Sequence, residues 1–120
     1  MEKSRTRVHE MHLFKEPFEL IKDREKTIEV RLFDDKRRKI RVGDTIIFKK
    51  LPNEDEELRC RVIGLSIFGS FEDLFRSFEK SKFGHPKSMS LKEQLRRSYK
   101  IYRKSDEKRY GVVGIHVERL

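Results

Sequence analysis

About five short stretches of this sequence have the pattern of β-strands, which limits the fold to a small sheet. The clearest stretch covers residues 27–33, where Ile28, Val30 and Leu32 fall on one face. The opposite face is charged. The apolar face can pack on a core, whereas alternation does not say what the charged face contacts. The other strand patterns cover residues 8–14, 45–50, 58–68 and 109–120.

Three helical patterns lie between these strands. Pro17 suits the first turn of a helix that ends near residues 23–25, and Ser70 and Ser90 are predicted N-caps of two later helices. The predicted order is strand-helix-strand-strand-strand-helix-helix-strand, which makes the fold class α+β. Because so few strands must avoid open edges, we expect a small closed or half-closed β-barrel with the helices packed outside. The length predicts a single domain over residues 1–120.

The charge of the chain favours a polyanionic partner. Its formal net charge is +9 and its pI is about 9.8, and nucleic acid is the commonest such partner for a small domain. A charge-rich surface of the kind found in thermophiles is the alternative, because many of the 21 acidic residues are interspersed with the basic ones.

Other classes of protein are disfavoured. The single cysteine, Cys60, allows no intrachain disulfide and no cysteine-based zinc site, and the histidines show no ligand-like pairing. We therefore predict no metal and no cofactor. The sequence contains neither a leader-like apolar segment nor an apolar run of transmembrane length, which predicts a cytoplasmic protein without membrane association.

Lys26, Glu29 and Arg31 form the most distinctive group of charged residues. Glu29 and Arg31 project from one strand face, where a carboxylate and a guanidinium can meet one small polar group. Phe33 on the same face adds an aromatic surface on which a base can stack. The alternative is a solvated strand face with a surface ion pair, which contributes only about 0–1 kcal/mol.

The stretch "LIKDREKTIEVRLFDDKRRKIRVGDTIIF" and the later "YGVVGI" resemble the ASCH domain, a branch of the PUA-like superfamily. The small, stand-alone prokaryotic members are the most similar. Lys26, Glu29 and Arg31 match the family signature G-x-K-x-x-E-x-R, with Arg24 at the usual glycine position, and the step Arg41–Asp44 fits "R-x-G-D". The resemblance implies a PUA-like barrel, a cleft between barrel and helices lined by the three matching side chains, and RNA as the partner.

Two further basic segments are candidate RNA contacts. "KRRKIR" at residues 36–41 is either a phosphate-contacting edge or a hairpin kept soluble by its charge, and the last helix carries a basic stripe that is otherwise a solvated face. We predict that a monomer or weak dimer binds RNA through Lys26, Glu29, Arg31, Phe33, Arg37, Arg38, Arg41, Arg96, Lys100 and Arg103.

The resemblance also implies an enzymatic alternative, so the sequence does not decide between binding and catalysis. Some stand-alone members are ribonucleases; here Glu29 would be the general base, and Lys26 and Arg31 would stabilise the developing charge without a metal. A related group removes the acetyl group from N4-acetylcytidine with a lysine, a threonine and a glutamate. Glu29 occupies that threonine position, so this activity also requires Glu79 or Glu93 to reach the cleft. A protein-interaction module is the residual class.

Overall fold

A curved five-stranded sheet with helices on its outside forms the structure, a computed structural model that describes residues 6–120. Residues 1–5 of the predicted domain lie outside the described residues. The elements are β1 (Val8–Leu13), α1 (Lys15–Lys22), β2 (Ile28–Leu32), β3 (Thr45–Lys50), β4 (Glu57–Phe68), α2 (Phe71–Ser77), α3 (Leu91–Ile101), α4 (Lys104–Tyr110) and β5 (Val112–Arg119), with 3₁₀ helices at Arg37–Lys39 and Lys80–Phe83.

The strand order is β1-β3-β4-β5-β2, so β1 and β2 form the two edges of the sheet. β1 pairs with β3 in parallel, and all other neighbours are antiparallel. The sheet curls into a half-barrel, which confirms the α+β class and the predicted five-stranded barrel with helices outside. We call the gap between the edge strands β1 and β2 the seam.

The predicted order of elements needs one correction. Three helices, not two, lie between β4 and β5, because the backbone is extended at Tyr102 and Arg103 and a separate helix, α4, begins at Lys104. Asp106 and Glu107 fall in the first turn of α4, where acidic side chains interact favourably with the helix dipole.

Two apolar clusters fill the two sides of the sheet. The inner cluster lies within the half-barrel and includes Ile115 and Val113, with Phe18 and Ile21 of α1 packed onto it. The outer cluster joins the sheet to α2 and α3, and it includes Ile28. The apolar face of β2 is therefore the one beneath the helices.

Several local predictions are confirmed. The β4–β5 register shifts between Val62 and Gly64, as expected for a bulge near Gly64. Ser70 and Ser90 accept hydrogen bonds from the N–H groups of Asp73 and Glu93 at 3.2 and 3.1 Å, as N-caps do. Each predicted helix start after β4 is thus correct.

No helix in the described part of the chain is long and apolar enough to cross a bilayer.

Candidate nucleic-acid interface

The charged face of β2 lies on the inner side of the half-barrel, next to the seam. Glu29 is opposite Ile115 in the β2–β5 ladder, and Arg31 is opposite Val113. Directly opposed residues share a face of the sheet, so both charged side chains project to the side of the inner cluster. Their strand is an edge strand, so both side chains lie next to the seam, with Glu29 buried and Arg31 largely buried.

Glu29 is the centre of an ion triad. Its Oε1 lies 2.8 Å from Nζ of Lys26, and its Oε2 accepts a 2.8 Å hydrogen bond from Nε of Arg31. Glu29 is only 5% exposed. Burial alone would raise the pKa of this carboxyl, but the charges of Lys26 and Arg31 outweigh it and hold the pKa below its usual range. The carboxylate therefore stays ionised, with a cation on each oxygen.

Arg31 also connects the two edges of the sheet. Its Nη2 donates a 3.2 Å hydrogen bond to the backbone oxygen of His12 in β1, across the seam. A guanidinium carries five N–H donors, and Glu29 and His12 engage only some of them. Arg31 is thus oriented by the protein and still has donors left for a ligand.

Arg37 adds a third cation close to this triad. Its backbone N–H donates to Oδ1 of Asp34 at 3.1 Å, and its buried Nε has no hydrogen-bond partner among the described residues. Burial lowers the pKa of Arg37, and the positive charge of Arg31 lowers it further. An anion placed between these guanidiniums would reduce their repulsion, and it would satisfy the unpaired donor once the Arg37 side chain turns toward it.

Phe33 and Arg38 contact each other. The guanidinium carbon of Arg38 lies 4.2 Å from the centroid of the Phe33 ring, a cation–π contact, and its Nη2 donates to the backbone oxygen of Tyr110 at 3.2 Å. One face of the predicted stacking platform is therefore covered by Arg38. A base at this position would meet the guanidinium as well as the ring.

The predicted basic stripe, formed by Arg96, Lys100 and Arg103, lies on α3 and is shorter than predicted. Arg96 is held by Glu93 through two hydrogen bonds of 2.7 and 2.6 Å, and Arg97 also binds Glu93. α3 ends at Ile101, so Arg103 lies beyond the helix and does not continue the stripe. Lys100 remains exposed on α3, and RNA contact by these residues stays a prediction.

The "R-x-G-D" step builds a turn. Asp44 is buried, and its carboxylate accepts hydrogen bonds from the backbone N–H groups of Arg7 and Arg41, both at 3.0 Å. His9 lies 2.8 Å from the same carboxylate, a contact that the sequence did not predict. The side chain of Arg41 is exposed, as an RNA contact would require.

Two residues beside the triad were not predicted. His85 is half-buried, and burial together with the charges of Lys26 and Arg97 lowers its pKa to about 4, so it is neutral at pH 7. Burial also raises the pKa of Tyr102, which lies within electrostatic reach of Arg31. One signal in the sequence pointed to His85, namely the preceding Gly84, whose φ of +77° lets the loop pass close to Lys26.

Neither substitute glutamate for amide hydrolysis contacts the triad. Glu93 is bound by Arg96 and Arg97 on an exposed part of α3. Glu79 is exposed immediately before the second 3₁₀ helix. The described residues also contain no group of three or more His, Cys, Asp or Glu side chains placed to hold a metal ion.

Arg24 occupies a left-handed backbone conformation, with a φ of +62°. For an L-residue this region is strained, whereas glycine adopts it freely. We expect Arg24→Gly to raise the free energy of unfolding by about 0.5–1 kcal/mol, after the greater flexibility of the unfolded glycine chain is included. Urea unfolding measures the change. Arg24→Ala is the control; it keeps the strain, and an equal gain from alanine would contradict this explanation.

Comparison with known proteins agrees with the family resemblance found in the sequence. Residues 11–120 match the profile of the ASCH domain family. The crystal structure of the hypothetical protein PH0355, from Pyrococcus, is similar over 94% of this chain and 99% of that chain, at 35% identity and a TM-score of 0.83. The solution NMR structure of protein PF0455 from Pyrococcus furiosus covers 94% and 97% at 36% identity, with a TM-score of 0.75.

No curated protein matches the chain. The two solved structures nevertheless share nearly its whole length, which confirms the PUA-like half-barrel that the resemblance implied. The chain therefore belongs to the ASCH domain family.

Proposed function

We propose that this protein binds RNA at the seam, with a phosphate held between Arg31 and Arg37. The observation that carries the proposal is the excess of positive charge there. Lys26 and Arg31 both pair with the buried Glu29 carboxylate. Arg37 lies within electrostatic reach of this group, and Asp34 is the other carboxylate that acts on it. The unpaired buried Nε of Arg37 adds a donor that lacks an acceptor. An RNA phosphate supplies both the charge and the acceptor that this arrangement lacks.

Two broader properties support RNA over a small anion. The net charge of +9 favours an extended polyanion. The Arg38–Phe33 stack beside the seam also offers a surface for an unstacked base, as single-stranded RNA provides. Cytoplasmic location and a monomeric or weakly dimeric state remain predictions that accompany this function.

The triad is better suited to binding than to catalysis. A general base is most effective when its pKa lies near the working pH, whereas the pKa of Glu29 is held below its usual range. Both carboxylate oxygens are already occupied by cations, which weakens the drive to accept a proton from a ribose hydroxyl. Glu29 is instead suited to orient Lys26 and Arg31 toward the ligand.

The salt dependence of RNA binding tests the proposal. If the seam and the basic residues beside it neutralise three phosphates of a single strand, one of them held between Arg31 and Arg37, the slope of log K against log salt is about −2. Affinity for a short labelled RNA should then fall about twentyfold between about 50 and 200 mM salt, measured by fluorescence anisotropy. Absence of binding at the lower salt concentration, or binding without a salt slope, would remove the proposal.

Arg37→Gln identifies the anion site more directly. We expect weaker binding and a slope smaller by about 0.7, the value for one lost phosphate contact. Arg76→Gln is the matched control, because Arg76 is exposed on α2, where it pairs with Glu72. If both substitutions change the slope equally, only the total charge matters and the seam is not the binding site.

A further inference from the structure

A second concave site opens beside the start of β2. It is a cavity of about 360 Å³ that adjoins the triad, because Lys26 lines it, whereas Glu29 and Arg31 do not. We call it the β4–β5 cavity, because Ile63 of β4 and Val117 of β5 line it, together with Ile21 of α1. Its volume falls within the range of about 300–1,000 Å³ that is usual for small-molecule sites.

The rim of the β4–β5 cavity is cationic. Arg24, Lys82 and Arg119 line it, and Glu118 is the one acidic lining residue. Arg119 has a buried Nε without a hydrogen-bond partner among the described residues. A buried guanidinium donor without an acceptor is costly, and an anion in the cavity would satisfy it once the Arg119 side chain turns this donor toward the cavity.

The bulge in β4 adds an apolar surface to this rim. Ile63 is the extra residue of the bulge, because Val62 pairs with Val117 and Gly64 pairs with His116. It therefore has no partner in the ladder and is 53% exposed beside the cationic side chains. Such a surface suits a ligand that combines a flat apolar body with an anionic group.

The strained backbone at Arg24 supports a role for its side chain. An arginine at a φ of +62° costs stability that glycine would recover. Arg24 directly follows the C-cap of α1, where a left-handed residue ends the helix and glycine is the usual choice. Strained residues also concentrate at functional sites. Arg24 is at the rim of the β4–β5 cavity, where its guanidinium can contact a phosphate.

We infer that the β4–β5 cavity binds a nucleoside monophosphate, with the phosphate on Arg24, Lys82 and Arg119 and the base against Ile63. The ligand is either a free nucleotide or one nucleotide of an RNA chain. The second source rests on the proposed function, whereas the first does not. Guanidinium groups suit both halves of such a ligand, because they bind phosphate in a bidentate manner and stack on flat rings.

Nuclear magnetic resonance titration of the ¹⁵N-labelled protein tests this inference, with AMP, inorganic phosphate and a short single-stranded RNA as probes. We expect AMP to shift the amide signals of Ile63, Lys82 and Arg119 to saturation. Arg24→Gly should weaken AMP binding about tenfold or more, as expected for a lost charge-assisted contact, although the variant folds more stably. Lys108→Gln, at an exposed position of α4, should bind AMP like the unaltered protein.

Each outcome decides the inference. Saturable shifts with AMP support the free nucleotide, and shifts at the same signals with RNA alone support a nucleotide within the chain. Equal affinity for AMP and inorganic phosphate overturns it, because the base would then contribute nothing. Absence of shifts at these signals with both AMP and RNA overturns it too. If AMP binds while RNA binds nowhere on the protein, the proposed function fails and this inference stands.

Discussion

Glu29→Gln is expected to lower the free energy of unfolding by about 3–5 kcal/mol at pH 7. The carboxylate is 5% exposed and holds Lys26 and Arg31 at 2.8 Å, so its removal leaves two poorly solvated cations side by side. Urea unfolding measures the loss. Glu10→Gln is the matched control, because Glu10 pairs with Lys49 at 3.3 Å from a side chain that is 56% exposed, and it should cost no more than about 1 kcal/mol.

The pH dependence of this loss identifies its cause. The pKa of Glu29 is lower in the folded protein than in the unfolded chain, so its contribution is complete above the unfolded value of about 4.3 and is lost as the pH falls through the folded pKa. The difference between wild type and Glu29→Gln should therefore be constant from about pH 7 to 5 and shrink at lower pH. A difference that does not change at low pH would show that packing, not charge, causes the loss.

Arg31→Lys is expected to weaken RNA binding by about 1.5–3 kcal/mol, roughly tenfold to a hundredfold, nearly as much as Arg31→Ala. Lysine keeps the charge but loses the planar group that contacts Glu29 through Nε and His12 through Nη2. Fluorescence anisotropy with several RNA sequences measures the effect, and circular dichroism checks that the variant is folded.

Lys100→Gln is the comparison for Arg31, because Lys100 is exposed on α3. It should weaken binding to all sequences alike and reduce the salt slope by one phosphate contact at most. If Arg31→Lys binds RNA like the wild type while Lys100→Gln abolishes binding, RNA is bound on the helix and not at the seam.

Strand alternation predicted the composition of the two faces of β2 but not their surroundings. Ile28, Val30 and Leu32 were correctly separated from Glu29 and Arg31. Alternation alone does not tell whether the charged face meets solvent, helices or the interior of a barrel. The surroundings of the charged face follow only from the pairing of Arg31 with Val113, which are far apart in the sequence.

Other features depend on contacts that no local pattern contains. Tyr102 fits the apolar stripe of α3, yet the backbone becomes extended there, and the sequence therefore predicted one helix where the structure has two. The unpaired Nε of Arg37 is likewise a property of its buried surroundings and not of the basic segment that contains it. The proximity of Glu29 and Arg31 was predictable, because their spacing along one strand is local, and Lys26 lies just before that strand.

The hydrogen bond from Arg31 to the His12 oxygen closes the ring of strands with a side chain where a full barrel would have a backbone ladder. The separation of β1 and β2 can then change by rotation of side-chain torsions, without loss of a ladder hydrogen bond. A ligand that takes Arg31 away from His12 shifts the separation of β1 and β2. By thermodynamic reciprocity, any contact that holds these two strands together weakens the binding of that ligand. The affinity for such a ligand and the width of the seam are therefore set by the same equilibrium.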